Sequence, residues 1–465
     1  MYDSRSNSQP VSPASVSISI VIPAYNSSQH LKSCLHAILQ SDLAPWEIIV
    51  VDDGSKDGTK QTAASFGTTV LTTGGRCGPA VARNIGAQAA TGEIVLFLDS
   101  DVCVKPGTLS RVAHWFDNDA ELDALIGSYD STPEAKDFLS QYRNLMHSYV
   151  HQTGEQLAST FWSGCGAIRR SIFLEHSGFD PDYGRPAIED IELGYRMLRA
   201  GCKIVLDRSL EVTHLKSWTF WNLLKTDVLD RGIPWTELIL RDRYMPNDLN
   251  LQLSQRVSVA LVFILVALSG LVAVMSGGYI LIPLFAVLFL LLARWWVDIR
   301  TSARPKSAYI ALIAVVAAIV TFAYFAEMYG LIPPLVVSPV LLVFRHRYRK
   351  NGHTRRSLRW IGIFYICFSV FMAAVYLPAS WLMFVCFAIL ALLGVMNSQF
   401  YIFLAGKRGV AFMLAAIPFH LLYHFYNGLS FIIGASRHLA SSAARRQVRP
   451  LVPERSRTDI DITQA

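Results

Sequence analysis

Residues 47–55 read EIIVVDDGS, an apolar run that ends in two adjacent aspartates and a glycine. Residues 94–101 read IVLFLDSD and repeat this arrangement further along the chain. Short apolar runs bounded by turn residues are typical of buried strands. Because ligands in open α/β sheets bind outside the carboxyl ends of the strands, the two acidic ends predict one shared site. Two carboxylates there suit a divalent cation that also carries substrate phosphates.

Helical patterns alternate with these predicted strands. A first strand is predicted over Ser17–Ile22 and is expected to break at Pro23. Helices are predicted from about Ser27, with apolar residues at helical spacing, and over Ala80–Ala90 after a Gly-rich turn. Further along, a helix is predicted over 188–200 and a strand over 203–207. This alternation predicts an α/β domain with a mostly parallel sheet.

The second half of the chain is unusually apolar. Of the 465 residues 52% are hydrophobic and only 17% are charged, and residues 360–406 contain no Asp, Glu, Lys or Arg. A run of ~20 apolar residues spans a bilayer as a helix. We therefore expect an integral membrane region over residues 257–436. The predicted spans are Val257–Ser276, Tyr279–Val297, Ala308–Phe325, Leu331–Phe344, Trp360–Val375, Trp381–Val395 and Val410–Gly434.

Basic residues indicate how these spans are oriented. They concentrate in residues 300–306, 345–359 and 437–449, beside the apolar runs, and Lys and Arg mark the cytoplasmic side. With a cytoplasmic first half, this pattern favours an even total of about six spans. The Pro-containing run 331–344 remains open as a span, a re-entrant piece or an interfacial segment, and 410–434 either crosses or lies flat. We expect an integral protein of a bacterial inner membrane.

Composition also sets the domain boundaries and excludes one class of partner. We expect a disordered tail over 1–16, the α/β domain over 17–217, an interfacial segment over 218–256 and a basic polar tail over 437–465. The net charge of +7 comes from residues beside apolar runs, so nucleic-acid binding is not expected. Seven scattered cysteines without a CxxC pair indicate reduced thiols in a cytoplasmic domain.

Five short motifs, in order, resemble glycosyltransferase family 2. They are VIPAYN at 21–26, VDDGSKDGT at 51–59, GPAVARNIG at 78–86, FLDSD at 97–101 and EDIELGYR at 189–196. Each motif is weak alone, but together they keep the order and spacing of the family. The resemblance covers about residues 17–215. It implies a Rossmann-like GT-A fold that binds a nucleotide-diphosphate sugar with Mg²⁺ or Mn²⁺.

The resemblance assigns the first motifs to the donor nucleotide. Pro23, Tyr25 and Asp53 would border the base, with Asp52 close by. Asp52 and Asp53 also suit a plain turn before a glycine, which remains the alternative. Arg83 would contact the donor or brace its helix against the acidic turn that follows the next strand.

The DSD motif is the implied metal end. Alternation along an extended segment places Asp99 and Asp101 on one side, so both can face one site. The resemblance places Asp99 near the ribose and Asp101 on the metal, which helps the nucleoside diphosphate to leave. His214 is where some GT-A enzymes have a third metal ligand, although a lone histidine is more often structural.

The implied catalytic base is Asp190. An inverting transferase needs one carboxylate to deprotonate the acceptor as it attacks. The resemblance places this role on Asp190, with Glu189 as its neighbour or as an acceptor ligand. Acidic residues also stabilise helix starts through the helix dipole, which is the structural alternative.

The implied acceptor side is Trp162 and Gly164, followed by Arg231 and Trp235. Processive synthases of the family carry Gln-x-x-Arg-Trp after the base, whereas residues 230–235 read DRGIPW. This departure favours a membrane enzyme that adds one sugar to a lipid or lipid-linked acceptor. A processive polysaccharide synthase, or a glycan or lipid transporter with a degenerate transferase domain, remains the alternative.

Overall fold

The structure is a computed structural model that describes residues 16–275 and 380–447. The chain divides into two compact units, one made of Met1–Ala260 with Met396–Ala465 and the other of Leu261–Val395. All of the candidate site residues lie in the first unit. The six cysteines within the described residues form no disulfide.

One eight-stranded sheet, in the order β3-β2-β1-β4-β7-β6-β8-β5, organises the first unit. The strands are β1 (Ile18–Ala24), β2 (Glu47–Asp52), β3 (Thr69–Thr72), β4 (Ile94–Leu98), β5 (Val102–Val104), β6 (Leu122–Tyr129), β7 (Cys165–Arg169) and β8 (Lys203–His214). Strands β1 to β4 pair in parallel, as do β6 and β8. β7 is antiparallel to β4 and β6, and β5 is antiparallel to β8, so the sheet is mixed.

Helices cover both faces of the sheet. They are α1 (Ser28–Leu39), α2 (Thr59–Ser65), α3 (Pro79–Ala89), α4 (Thr108–Asn118), α5 (Phe138–Thr153), α6 (Arg170–Glu175) and α7 (Glu189–Arg199). Side chains alternate along a strand, so β4 places Leu96 and Leu98 in one apolar core and Val95 and Phe97 in the other. The α/β fold predicted from the sequence is confirmed.

The first strand is longer than predicted. It continues through Pro23 to Ala24, which pairs with Asp52. A proline lacks the N–H that a sheet ladder uses, but β1 pairs with β4 only as far as Val21. At Pro23 only the β2 side is paired, so the expected break does not occur.

The C-terminal part of the described chain is helical. It contains α8 (Phe220–Lys225), a π-helical turn (Thr226–Gly232), α9 (Ile233–Asp242), a 3₁₀ turn (Leu249–Leu251), α10 (Leu253–Met275), α11 (Ser380–Met396), α12 (Ser398–Arg408) and α13 (Val410–Gln447). Leu253–Val272 and Val410–Ser441 are long and apolar enough to cross a membrane. α11 and α12 qualify only as a pair, which is bent by 65°.

These helices coincide with three of the predicted spans, at 257–276, 381–395 and 410–434. The predicted spans between 279 and 375 lie outside the described residues, as do nearly all of the predicted N-terminal tail and residues 448–465. Within the described part, α13 continues past the predicted boundary at 436 as far as Gln447.

The C-terminal helix packs against the α/β domain within the first unit. Tyr142 and Leu145 of α5 share an apolar cluster with Phe400 of α12 and Ala416 of α13. A buried ion pair lies beside it: Arg143 Nη2 donates to Asp227 Oδ1 at 2.6 Å. Tyr426 of α13 donates to the other oxygen of Asp227 at 2.5 Å. One carboxylate of the π-helical turn therefore joins α5 to α13.

Candidate active site

A buried arginine connects the FLDSD motif at 97–101 with the EDIELGYR motif at 189–196. Arg83, on α3, donates from Nη2 to Asp99 Oδ1 at 2.7 Å and from Nη1 to Glu189 Oε1 at 2.8 Å. Burial disfavours the charged guanidinium, but Asp99 and Glu189 outweigh it and raise the pKa of Arg83 above its ordinary value. The arginine therefore brings the turn after β4 next to the start of α7.

The site closes through the loop before β7. The Asp99 backbone N–H donates to the Gly164 carbonyl at 3.4 Å. Ser163 donates from its backbone N–H and from its hydroxyl to Asp190 Oδ2, each at 3.0 Å. Asp99, the Ser163–Gly164 loop, Asp190 and the Arg83–Glu189 pair therefore form one connected ring. Ser163, which orients Asp190, was not among the predicted site residues.

Glu189 has a different environment from Asp190. Its carboxylate is buried, and its second oxygen accepts the Ala187 backbone N–H at 2.9 Å. Burial raises the pKa of Glu189, against the lowering effect of Arg83. Because the Glu189 carboxylate is buried and paired with Arg83, the geometry favours the neighbour role for Glu189 over that of an acceptor ligand. Asp190 is partly exposed at the first turn of α7.

Asp101 lies beside His214, as the resemblance implied. Asp101 Oδ2 is 3.6 Å from His214 Nε2, and the His214 ring stacks on Tyr129 with centroids 4.4 Å apart. Burial opposes ionisation of Asp101, but His214 and Lys216 lower its pKa to about 2. This carboxylate is therefore ionised over the whole physiological range.

The donor set fits a metal ion that arrives with a diphosphate. In residues 16–275 and 380–447, no three His, Cys, Asp or Glu side chains are grouped to hold a metal by themselves. Asp101 and His214 offer one oxygen and one nitrogen, while one oxygen of Asp99 is engaged by Arg83. Mg²⁺ in phosphate-transferring sites uses one or two carboxylates plus substrate phosphates and water. Asp101 and His214 therefore suit an ion that is also bound by the substrate diphosphate, rather than an ion held by protein side chains alone.

Asp53 fastens the loop at the predicted nucleotide end. One of its oxygens accepts the Thr73 hydroxyl at 2.9 Å and the Cys77 N–H at 2.8 Å, and the other accepts the Gly78 N–H at 2.9 Å. Asp52 accepts the Ser55 N–H at 3.2 Å, as a turn residue does. Both carboxylates shape the loops of this end, and a contact with the base stays a prediction.

Tyr25 lies at the same end with an arginine on its ring. The Arg76 guanidinium is 4.4 Å from the Tyr25 ring centroid, and Arg76 is exposed. The loop that carries Arg76 packs closely against Gly54. This glycine has φ +76°, and a Cβ there would lie 2.9 Å from the Gly75 carbonyl carbon. Pro23 is partly buried just before Tyr25.

The predicted acceptor residues have packing partners. Trp162 packs edge-on against Tyr129 and His151, with centroids 4.9 and 4.8 Å apart. A Cβ at Gly164 would lie 2.7 Å from the Trp162 ring, so this glycine makes room for the indole.

The two later acceptor residues lie on the helices that follow the α/β domain. Trp235 of α9 donates to the Tyr195 hydroxyl at 3.1 Å. Arg231 is partly exposed in the π-helical turn. Contact of these residues with an acceptor stays a prediction.

The α/β domain is similar to known glycosyltransferases. Residues 19–176 match the model of Glycosyl transferase family 2. The chain is 26% identical over 240 residues to the O-antigen chain rhamnosyltransferase RfbN of Salmonella typhimurium, covering 47% of this chain and 74% of that protein. It is 34% identical over 87 residues to the UDP-Glc:alpha-D-GlcNAc-diphosphoundecaprenol beta-1,3-glucosyltransferase WfgD of Escherichia coli, covering 18% and 34%.

The extent of these matches limits what they show. Three further curated relatives are matched over only 30%, 33% and 40% of their own length. Among solved structures, mannosyltransferase PcManGT from Pyrobaculum calidifontis in complex with GDP-Man and Mn²⁺ has 17% identity and a TM-score of 0.40, covering 72% of this chain and 88% of that one. The family match over residues 19–176 and the names of the relatives support a transferase of the glycosyltransferase family 2 type.

Proposed function

We propose that the protein is an inverting, metal-dependent glycosyltransferase that moves a sugar from a nucleotide-diphosphate sugar to a lipid or lipid-linked acceptor at a membrane. The observation that carries the proposal is the ring closed by Arg83, which holds the Asp99–Asp101 turn beside Asp190. A metal-side carboxylate and a partly exposed candidate base at one place are what a single displacement requires. The proposed catalytic domain is cytoplasmic.

Two observations support a lipid or lipid-linked acceptor. The described chain contains two helices, or three with the bent pair, that are long and apolar enough to cross a membrane. The name of the relative WfgD specifies a diphosphoundecaprenol-linked acceptor for that protein. A membrane-held enzyme meets such an acceptor where the bilayer borders the solution that carries the soluble donor.

Each site residue has a distinct task in this proposal. Ser163 fixes the direction of the Asp190 carboxylate, which takes the proton of the acceptor hydroxyl as that oxygen attacks the sugar. Asp101 and His214 would hold Mg²⁺ or Mn²⁺, which supplies positive charge to the departing diphosphate when bound. Arg83 is buried and engaged on both sides, so it positions Asp99 and Glu189.

A donor screen tests the reaction. The full chain, held in membranes or detergent, is incubated with individual nucleotide sugars and a polyprenyl-diphosphate-linked sugar. We expect transfer of a single sugar from one donor, loss of transfer with chelator, and recovery on addition of Mn²⁺ or Mg²⁺. A product that grows by many sugars would indicate the processive alternative, and no transfer or donor hydrolysis with any donor would refute the proposal.

The base assignment has its own test. Asp190→Asn removes the proton acceptor while keeping the size of the side chain, so transfer should fall about 10²- to 10⁴-fold. The matched control is Asp182→Asn, at an exposed position in the loop before α7. The control should transfer sugar like the unaltered chain, and an Asp190→Asn variant that does the same would exclude Asp190 as the base.

A further inference from the structure

A cavity of about 430 Å³ lies away from the carboxylate ring, where α5 meets the helices α12 and α13. It is lined by Lys136, Phe138, Gln141, Arg408 and Phe412, all within the first unit. Its volume is in the range of small-molecule sites. The site described above contains none of these residues.

Two cations, Arg408 and Lys136, line the cavity. Arg408 donates to Gln141 Oε1 and to the Ser131 carbonyl, both at 2.7 Å, and to the Lys407 carbonyl at 3.0 Å. Exposed Lys136 donates to the Pro133 carbonyl at 3.2 Å. Among the residues that the structure describes, neither cation forms an ion pair. Arg408 is thus held in place by neutral partners with its charge available to an anion.

The rest of the cavity wall is aromatic. The rings of Phe138 and Phe412 are 4.9 Å apart, and Phe138 also packs against Phe419 at 5.3 Å. Cations beside an apolar wall match a ligand with a charged head and an apolar body. Inorganic phosphate alone would leave the aromatic wall without a partner.

The position along the chain identifies the source of such a ligand. Lys407 and Arg408 end α12, and Gly409, with φ +85°, separates it from the candidate span Val410–Ser441. Basic residues beside an apolar helix lie at the level of the lipid phosphates, whether that helix crosses the bilayer or lies flat in the interface. The cavity therefore opens where a lipid headgroup would be.

We propose that this cavity binds the phosphate headgroup of an anionic membrane phospholipid. The inference rests on the membrane location in the proposed function but not on sugar transfer. It also connects to the transferase site, because Arg408 holds Ser131 in the loop that follows β6. In the same loop the Glu134 N–H donates to the His214 carbonyl at 3.3 Å. A bound headgroup would steady the loop beside the proposed metal ligand.

Native mass spectrometry of the full chain in detergent tests the proposal. The protein is titrated with phosphatidylglycerol and, separately, with phosphatidylcholine of the same acyl chains. We expect selective retention of phosphatidylglycerol, weakened about fivefold by Lys136→Gln and by Arg408→Gln, since each basic residue near an anionic lipid surface contributes about that factor. The matched control is Lys60→Gln, an exposed lysine on α2 beside the edge strand β3, which should retain the lipid unchanged.

Arg408 also anchors a loop, so thermal unfolding of each variant is followed in parallel. The exposed Lys136 variant remains a valid test if Arg408→Gln does not fold. Equal retention of both lipids, or variants that behave like Lys60→Gln, would overturn the proposal. Full displacement by inorganic phosphate would also overturn it, because a simple anion site needs no lipid. Selective binding in a chain without transferase activity would refute only the proposed function.

Discussion

At the scale of single residues, the buried Arg83 has the largest expected effect on stability. Its side chain and that of Glu189 are only 5% and 4% exposed. Removing one partner of a buried ion pair leaves an uncompensated charge and costs about 3–5 kcal/mol. We therefore expect Arg83→Gln to lower the free energy of unfolding by about this amount.

The comparison variant is Glu189→Gln, in which Arg83 keeps Asp99 and the amide oxygen accepts the Arg83 hydrogen bond, while the Ala187 N–H loses its acceptor. Its loss of stability should be clearly smaller. Thermal unfolding in detergent, followed by tryptophan fluorescence, measures both variants. Equal melting temperatures for Arg83→Gln and the unaltered chain would show that the pair does not hold the two motifs together.

His214 gives a prediction about the metal. His214 lowers the pKa of Asp101 against the effect of burial, so its removal should raise that pKa. We expect His214→Ala to raise the Mn²⁺ concentration for half-maximal transfer about tenfold, through loss of a nitrogen donor.

The control for this experiment is His114→Ala on the exposed face of α4, which should leave the Mn²⁺ dependence unchanged. Titration of Mn²⁺ at saturating donor separates a metal effect from a donor effect. An unchanged Mn²⁺ requirement in His214→Ala would leave the histidine as a stacking partner of Tyr129 only.

Several site residues could be predicted from the sequence because they belong to short motifs that resemble a known family. The structure brings Asp99, Asp101, Asp190 and His214 together, and the roles that the resemblance implies for them stay predictions. The Arg83–Glu189 bond joins residues 106 positions apart, and no local pattern indicates such a partner. For the same reason the sequence alone did not show that both oxygens of Glu189 are used within the protein.

At the scale of elements, a strand or helix could be predicted where its side chains follow one regular pattern of burial. β4 is buried throughout and has the predicted bounds, Ile94–Leu98. α5 was missed because it packs on several sides: Gln141, Arg143, Asn144 and His151 are buried along with its apolar residues. Burial of polar side chains removes the apolar stripe that marks a helix in a sequence.

β8 shows another limit at this scale. The predicted strand stopped at residue 207, whereas the structure continues it to His214 across a register shift against β6. Bulged strands interrupt the regular alternation from which strands are predicted. The end of β8 also brings His214 beside Asp101, so strand alternation alone does not indicate this placement and only the resemblance suggests it.

Gly434 allows a test of how α13 packs against α9, with Gly406 of α12 as the comparison. A Cβ at Gly434 would lie 2.7 Å from the Thr236 Cβ and 2.9 Å from the Ile233 carbonyl oxygen. At Gly406, in α12, a Cβ would meet no atom of the described residues within 4 Å. Gly434→Ala should therefore destabilise the first unit by about 1–3 kcal/mol through overpacking.

Gly406→Ala is the matched control, because alanine has the higher helix propensity and should be neutral or stabilising by up to about 1 kcal/mol. Thermal unfolding of the two variants side by side gives the sign of each change. If Gly434→Ala were as stable as Gly406→Ala, α13 would not be held against α9 by close backbone contact.

At the scale of the whole molecule, the order of basic and apolar segments along the chain predicts which parts lie on the cytoplasmic side of the membrane. The domain that carries the site precedes the first candidate span, Leu253–Val272, and the basic residues 437–449 lie at and beyond the end of α13. Arg408, just before α13, bonds to Ser131, and Gly434 near its end lies against Thr236, so both ends of α13 contact the domain. This favours the alternative in which α13 lies flat on the membrane. Lys and Arg are retained on the cytoplasmic side of a membrane. Residues on the α/β domain and at the end of α13 should therefore lie on the same, cytoplasmic side.

Single-cysteine chains measure this sidedness. In a background without other cysteines, exposed Cys77 is kept, or the exposed Ser441 is changed to Cys. Both should react with a membrane-impermeant maleimide in inverted vesicles and be protected in intact spheroplasts. Gly278→Cys, in the predicted turn between the first two spans, is the control and should show the opposite pattern. Reaction of residue 441 from the outside would require an odd number of crossings, and the basic tail would then be an exception to the charge rule.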